Sequence, residues 1–185
     1  MLKAVLIHSA VPMGGSYQNV ALAPAPTHVQ GFGRIQLDRV LFFAGGAADG
    51  SESPPPPVAS RALLVDDRTR PIAATADEHE YIIATAGSDP ALGRVFKVTL
   101  VWTDPPAEPL ALASLVNNLD LTVTTGGVVR RGNGGADDTN NVELVEFELP
   151  SEALQLHTVR VRGANLRVPN QKYALVVTGP LQNES

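Results

Sequence analysis

A chain of 185 residues with 44% hydrophobic content can bury a sizeable core, and its length sets one main domain with room for a small appendage. A formal charge of -5 and a pI of about 5.3 argue against a nucleic-acid partner, whose phosphates must be met by clustered Lys and Arg. Zero cysteines exclude disulfides, thiolate metal sites and cysteine nucleophiles, and no apolar run reaches the roughly 18 to 20 residues of a bilayer-spanning helix, so no membrane partner is expected.

In chain order, Leu2, Val5, Leu6 and Ala10 carry helical spacing, which Pro12, Gly14 and Gly15 end. Lys3 before AVLI superficially resembles a signal peptide, but His8 interrupts the run short of the usual apolar length, and a buried helix is the better reading. Leu37, Val40 and Leu41 predict a second short helix, with Gly45 and Gly46 as its stop. Two such helices should fold back on the following domain or pair with a second copy through their apolar faces. Residues 44–60 form a Gly/Pro-rich linker by composition, and the proline run 54–57 favours a polyproline II spacer rising about 3.1 Å per residue.

From residue 61 onward strand patterns and turn signals alternate. Phe96, Val98, Leu100 and Trp102 point one way while Lys97 and Thr99 point the other, the period of two of a half-buried strand. Leu119, Leu121 and Val123 repeat the pattern, and Pro105, Pro106 and Pro109 stop any ladder between the two strands. Segments 62–65, 80–85, 95–102, 119–124, 128–131, 142–149, 158–163 and 173–178 read as about eight strands with no helix-length amphipathic segment among them. The prediction is an all-β fold: an antiparallel, jelly-roll-like β-sandwich over 61–181, preceded by a short helical N-terminal segment. Val145, Phe147, Leu149, Val159, Val161, Tyr173, Leu175 and Val177 should supply its inward faces, and Arg130, Arg131, Arg160 and Arg162 should protect its edges.

The candidate chemistry is a run of hard oxygen ligands in loops: Asp104, Asn118, Asp120, Asn133, Asp137, Asp138, Asn140, Asn141 and Glu143. Calcium takes six to eight such oxygens, so a structural calcium that stiffens the loops is one reading. Asx-turns and left-handed backbone, which favour the same residue types, are the other. His8, His28, His79 and His157 match no metal-binding or triad spacing and read as structural or solvent-facing; Ser9 lacks a placed base, and Trp102 reads as a core plug.

LVWTDPPA (100–107), LVNNLDLTV (115–123) and GNGGADDTNNVE (132–143) resemble the β-domain that follows the catalytic domain in one branch of the subtilisin-like serine proteases, the peptidase S8 family. KAVLIHSA (3–10) resembles the helix after that family's nucleophile segment, and QGFGRIQLDRVL (30–41) resembles its Gly-x-Gly-x-x-x-Leu closing segment. The Gly-Thr-Ser-Met segment and the Asp- and His-containing triad motifs are absent from this chain. The resemblance thus implies that residues 1–43 are the end of a catalytic domain, that 61–181 are a non-catalytic accessory domain, and that the partner is an upstream subtilisin-like domain. It also implies calcium and a secreted or extracellular setting, with Asn118 standing where relatives commonly carry Asp. A stand-alone calcium-dependent binding module for carbohydrate or protein is the alternative, against which the 5% aromatic content tells; a hydrolase in its own right lacks its triad.

Overall fold

The computed structural model describes residues 1–22, 26–41, 62–66, 70–87, 94–109, 115–149 and 154–182, the segment 62–66 by its backbone. Among the described residues eight strands make the body: β5 (Ala62–Asp66), β6 (Glu78–Thr85), β7 (Val95–Trp102), β8 (Asn117–Thr125), β9 (Val128–Arg131), β10 (Val142–Glu148), β11 (Gln155–Leu166) and β12 (Tyr173–Thr178). They form two four-stranded antiparallel sheets, in the orders β10-β7-β12-β5 and β6-β11-β8-β9. Successive strands change sheet at every connection except β8 to β9, the jelly-roll order that the sequence predicts. That single hairpin follows from Gly126 and Gly127. Both have positive φ, 54° and 80°, as a two-residue turn matching the strand twist requires, and Thr125 pairs with Val128 across it.

The core lies between the sheets, where Phe96, Val98, Leu100 and Trp102 of β7 meet Leu119, Leu121 and Val123 of β8, Val159 and Val161 of β11, and Tyr173, Leu175 and Val177 of β12. Each fully buried aliphatic side chain of this set contributes about 1.5 to 3 kcal/mol. Trp102 fills the position predicted for it, and its indole Nε1 donates to the Asn117 carbonyl at 3.0 Å.

The N-terminal segment lies against the outer face of the first sheet. It comprises α1 (Leu2–His8), β1 (Ala10–Val11), β2 (Ser16–Tyr17), β3 (Val20–Ala21), β4 (Arg34–Ile35) and a 3-10 turn at Leu37–Arg39, with β1 paired to β4 and β2 to β3. Ala4 and Val5 of α1, with Val40, pack on Val101, Val142, Ala174 and Val176. Folding back is therefore the arrangement adopted, and it buries both faces of β12 and Thr99 of β7, positions an isolated sandwich would leave half wet.

Four expectations change. Ala10 leaves the helix and joins β1. The second helix is a three-residue 3-10 turn, too short to repay helix nucleation, with Val40 just beyond it held by burial under α1. Arg160 and Arg162 do not guard an edge, because β11 lies between β6 and β8; Arg160 instead pairs with Glu80 at 2.6 Å and Glu78 at 3.4 Å on the neighbouring strand. Arg130 and Arg131 do lie on edge strand β9, but Arg130 turns inward, its guanidinium 4.0 Å from the Phe147 ring centre. The predicted Gly45–Gly46 stop and the 44–60 linker lie outside the described residues.

Candidate functional site

At one end of the sandwich, where β7 ends and β12 begins, an open cleft of about 720 Å³ lies between residues 102–106, residues 168–174 and the start of α1. Its floor is built by hydrogen bonding. Asp104 accepts the backbone N–H groups of Val116 and Asn117, both at 2.8 Å, which closes the chain after the proline-interrupted loop. Asn117, fully buried, donates from Nδ2 to the Val168 carbonyl and Gln171 Oε1 and accepts the N–H groups of Arg167 and Val168. Among the described residues its walls carry Lys3 and Lys172 and no serine or histidine, so no Ser–His pair of the triad kind lines it. Its aromatic members, Trp102 and Tyr173, are 2% and 3% exposed, which leaves no ring free for a sugar to stack on.

The nine predicted oxygen ligands fall into separate places. Asp104 is spent on the two amides just named. Asn141 accepts from Lys3 Nζ at 2.9 Å and donates to the Trp102 carbonyl at 3.1 Å, tying α1 to the end of β7. Asp137 accepts from Asn133 Nδ2, Asn140 Nδ2 and the backbone N–H groups of Thr139 and Asn140. Burial pushes its carboxyl up, but these hydrogen bonds outweigh burial and hold it below the ordinary value. Asp138 accepts from Thr139 Oγ1 at 3.3 Å. Asn133, at φ 52°, also bridges its own turn to β10 through the Val142 carbonyl and the Leu144 N–H. Asn118 and Asp120 alternate with the inward Leu119 and Leu121 and so face outward from β8.

Glu143 is the exception in this set. It shares the inward parity of Val145 and Phe147 on β10, is 1% exposed, and accepts the Leu121 N–H at 2.5 Å just past the end of β9. Gly132 makes room for it: a Cβ there would lie 2.2 Å from Glu143 Oε2. Burial, with the nearby charges of Asp120 and Asp137, pushes the carboxyl up to about 8, against the pull of the Leu121 hydrogen bond. Among the described residues no three Asp, Glu or His side chains converge as a metal requires. The arrangement is one of loop staples plus one buried carboxyl, with Asp120 and Asp137 near enough to act on that carboxyl.

Three histidines are buried against hydroxyl groups, and neither periodicity nor motif announces them. His8 lies between α1 and the first sheet, with Nδ1 2.8 Å from Thr99 Oγ1 and Nε2 2.8 Å from Thr178 Oγ1. His157 ties β11 to β6 and β8 through Thr85 and Thr125 and stacks on Phe96 with centroids 4.2 Å apart. His79 Nδ1 lies 2.7 Å from the Tyr173 hydroxyl. Burial holds His8 well below its ordinary value, aided by Lys97, and holds His157 down at about 4, aided by Arg130. A histidine between two threonine hydroxyls has no carboxylate to orient it, unlike the base of a hydrolytic triad. Ser9 Oγ donates to the Leu6 carbonyl at 2.9 Å and is fully buried, while His28 is exposed.

No family model matches the chain. It is similar to the serine protease/ABC transporter B family protein tagA of Dictyostelium discoideum, 25% identical over 191 residues that cover 96% of this chain and 10% of that protein. The tagB and tagD proteins of the same organism are 34% and 33% identical over 95 and 98 residues, in each case 44% of this chain and 5% of the relative. The chain thus spans a tenth or less of the length of these curated relatives. The P-domain structure of Macrobrachium rosenbergii nodavirus matches 68% of this chain at 13% identity with a TM-score of 0.21, too low to support any argument. Similarity therefore ties the chain to proteins named as serine proteases, and the described residues hold no helix long and apolar enough to cross a membrane.

Proposed function

We propose that the chain is a non-catalytic accessory β-domain of a subtilisin-like serine endopeptidase, carried together with the last segment of the catalytic domain. The observation that carries this reading is the continuity of residues 1–41 with the sandwich. The similarity to tagA runs through 96% of the chain, and α1 is joined to β7 and β12 by the buried Ala4, Val5 and His8. A segment so fixed would brace a protease domain rigidly against the first sheet. Peptide-bond attack by serine would belong to that upstream domain, in a secreted enzyme, and this chain would supply stability and shape the approach to the cleft.

Two measurements on the purified chain and its parent test the reading. The chain alone should neither hydrolyse casein nor take up a fluorophosphonate label, whereas a protein extended by its upstream reading frame should do both. Labelling of a serine in this chain, or an upstream frame without protease motifs, would overturn it.

A further inference from the structure

We propose that the uncovered face of the second sheet is a self-complementary surface on which a second copy of this chain docks about a two-fold axis parallel to the strands. The inference does not depend on the protease reading. The first sheet has its outer face covered by α1, but the outer face of β6-β11-β8-β9 has no such cover among the described residues. On that face Ile82 and Val129 are 56% and 57% exposed, and Leu156 is 61% exposed, more apolar surface than a solvated sheet needs.

The register arranges this face in rows across the strands. Ile82, Thr158, Thr124 and Val129 form an apolar and hydroxyl row. Glu80, Arg160, Thr122 and Arg131 form the next, and Glu78, Arg162 and Asp120 the one after. Acid therefore lies at the β6 side of the second row and base at the β9 side. A two-fold axis running parallel to the strands, between β11 and β8, keeps each row on itself and exchanges its ends. Ile82 then lies over the partner's Val129, Glu80 over the partner's Arg131, and Arg162 over the partner's Asp120. Arg160, already paired with Glu80, meets the uncharged Thr122 of the partner subunit. No like charges face each other. An axis across the strands keeps each strand on itself: through the second row it would lay Glu80 on the partner's Glu80 and Arg160 on the partner's Arg160, and through the apolar row it would lay the charged second row on the row of Leu156, which costs desolvation without pairing.

Size sets the strength. Four strands about 4.8 Å apart and about seven residues rising about 3.3 Å each present roughly 450 Å² per copy. Two copies give about 900 Å², below the roughly 1,200 Å² at which stable specific interfaces begin and in the range of transient encounters, so the dimer is weak and concentration-dependent.

The chain has no cysteine, which makes introduced thiols unambiguous. Sedimentation equilibrium of the full chain from about 10 μM to about 1 mM, the range suited to a face this small, should show the mass rising from 19.5 kDa toward twice that value. Val129→Lys should stay monomeric throughout while keeping the wild-type circular dichroism spectrum. Ile82→Cys and Val129→Cys chains mixed with a short bismaleimide should cross-link several-fold more than either alone. A monomeric mass at every concentration, a dimer that survives Val129→Lys, or equal cross-linking in mixed and separate samples would each overturn the proposal.

Discussion

The buried His157 makes the fold acid-sensitive by an amount the structure sets. Its ring is held neutral between Thr85 and Thr125, against Phe96 and near Arg130, down to about pH 4, whereas in the unfolded chain it takes a proton near pH 6.5. Above pH 6.5 both states are neutral at this residue and it adds no pH dependence. Below that point the unfolded chain binds a proton that the folded chain refuses, so stability falls as the pH drops from 6.5 to about 4. The difference of about 2.5 pH units corresponds to a loss of about 3 kcal/mol, a large share of the roughly 5 to 15 kcal/mol of a typical domain. Urea melts at pH 7.5, 6, 5 and 4 read this directly. His157→Asn should be less stable than wild type at pH 7.5, by about 1 to 2 kcal/mol for an imperfect hydrogen-bond fit, but should lose less on acidification. If the variant's acid limb is as steep as the wild type's, the buried neutral imidazole is not its cause and the reasoning fails.

Glu143 acts in the opposite direction. Below pH 4.5 folded and unfolded chains both hold its proton; between 4.5 and about 8 only the folded chain does, so stability falls with rising pH, by about 3 kcal/mol at pH 7. Glu143→Gln keeps an acceptor for the Leu121 N–H and should match wild type near pH 4 in urea melts while exceeding it at pH 7 to 8; equal stability at both ends would refute the buried-acid account. Gly132→Ala, whose methyl would collide with that carboxyl, should destabilise by about 1 to 3 kcal/mol or more in the same assay. Trp102→Ala should lower stability by about 3 to 5 kcal/mol, measured by urea midpoint, since the indole is 2% exposed and hydrogen-bonded. Thermal melts in calcium and in chelator should superimpose, because the Asp137 carboxyl is taken up by its own turn; a calcium-dependent rise in Tm would require the loop 132–141 to rearrange around the ion.

The strands were legible because their signal is local. β7 alternates as written, and the parity of Glu143 with Val145 and Phe147 already placed that carboxyl on the inward face, a signal that its company of loop Asp and Asn residues masked. The roles of Arg160 and Arg162 were not legible, since period-two alternation says which face a residue takes but nothing about whether its strand is central or at an edge. His8 shows the same limit in sharper form: its partners Thr99 and Thr178 lie 91 and 170 residues away, and only the strand order brings β7 and β12 side by side beneath α1. Asn117 and Asn118 both read as loop amides in the sequence, and burial alone distinguishes the saturated hub from its outward neighbour.

The most direct test of the accessory role is thermal inactivation of the parent protease with and without residues 61–181. The β-domain is predicted to lengthen the half-life at elevated temperature while leaving kcat per titrated active site unchanged. Equal half-lives for the intact and shortened enzymes, or peptide hydrolysis by this chain on its own, would contradict it.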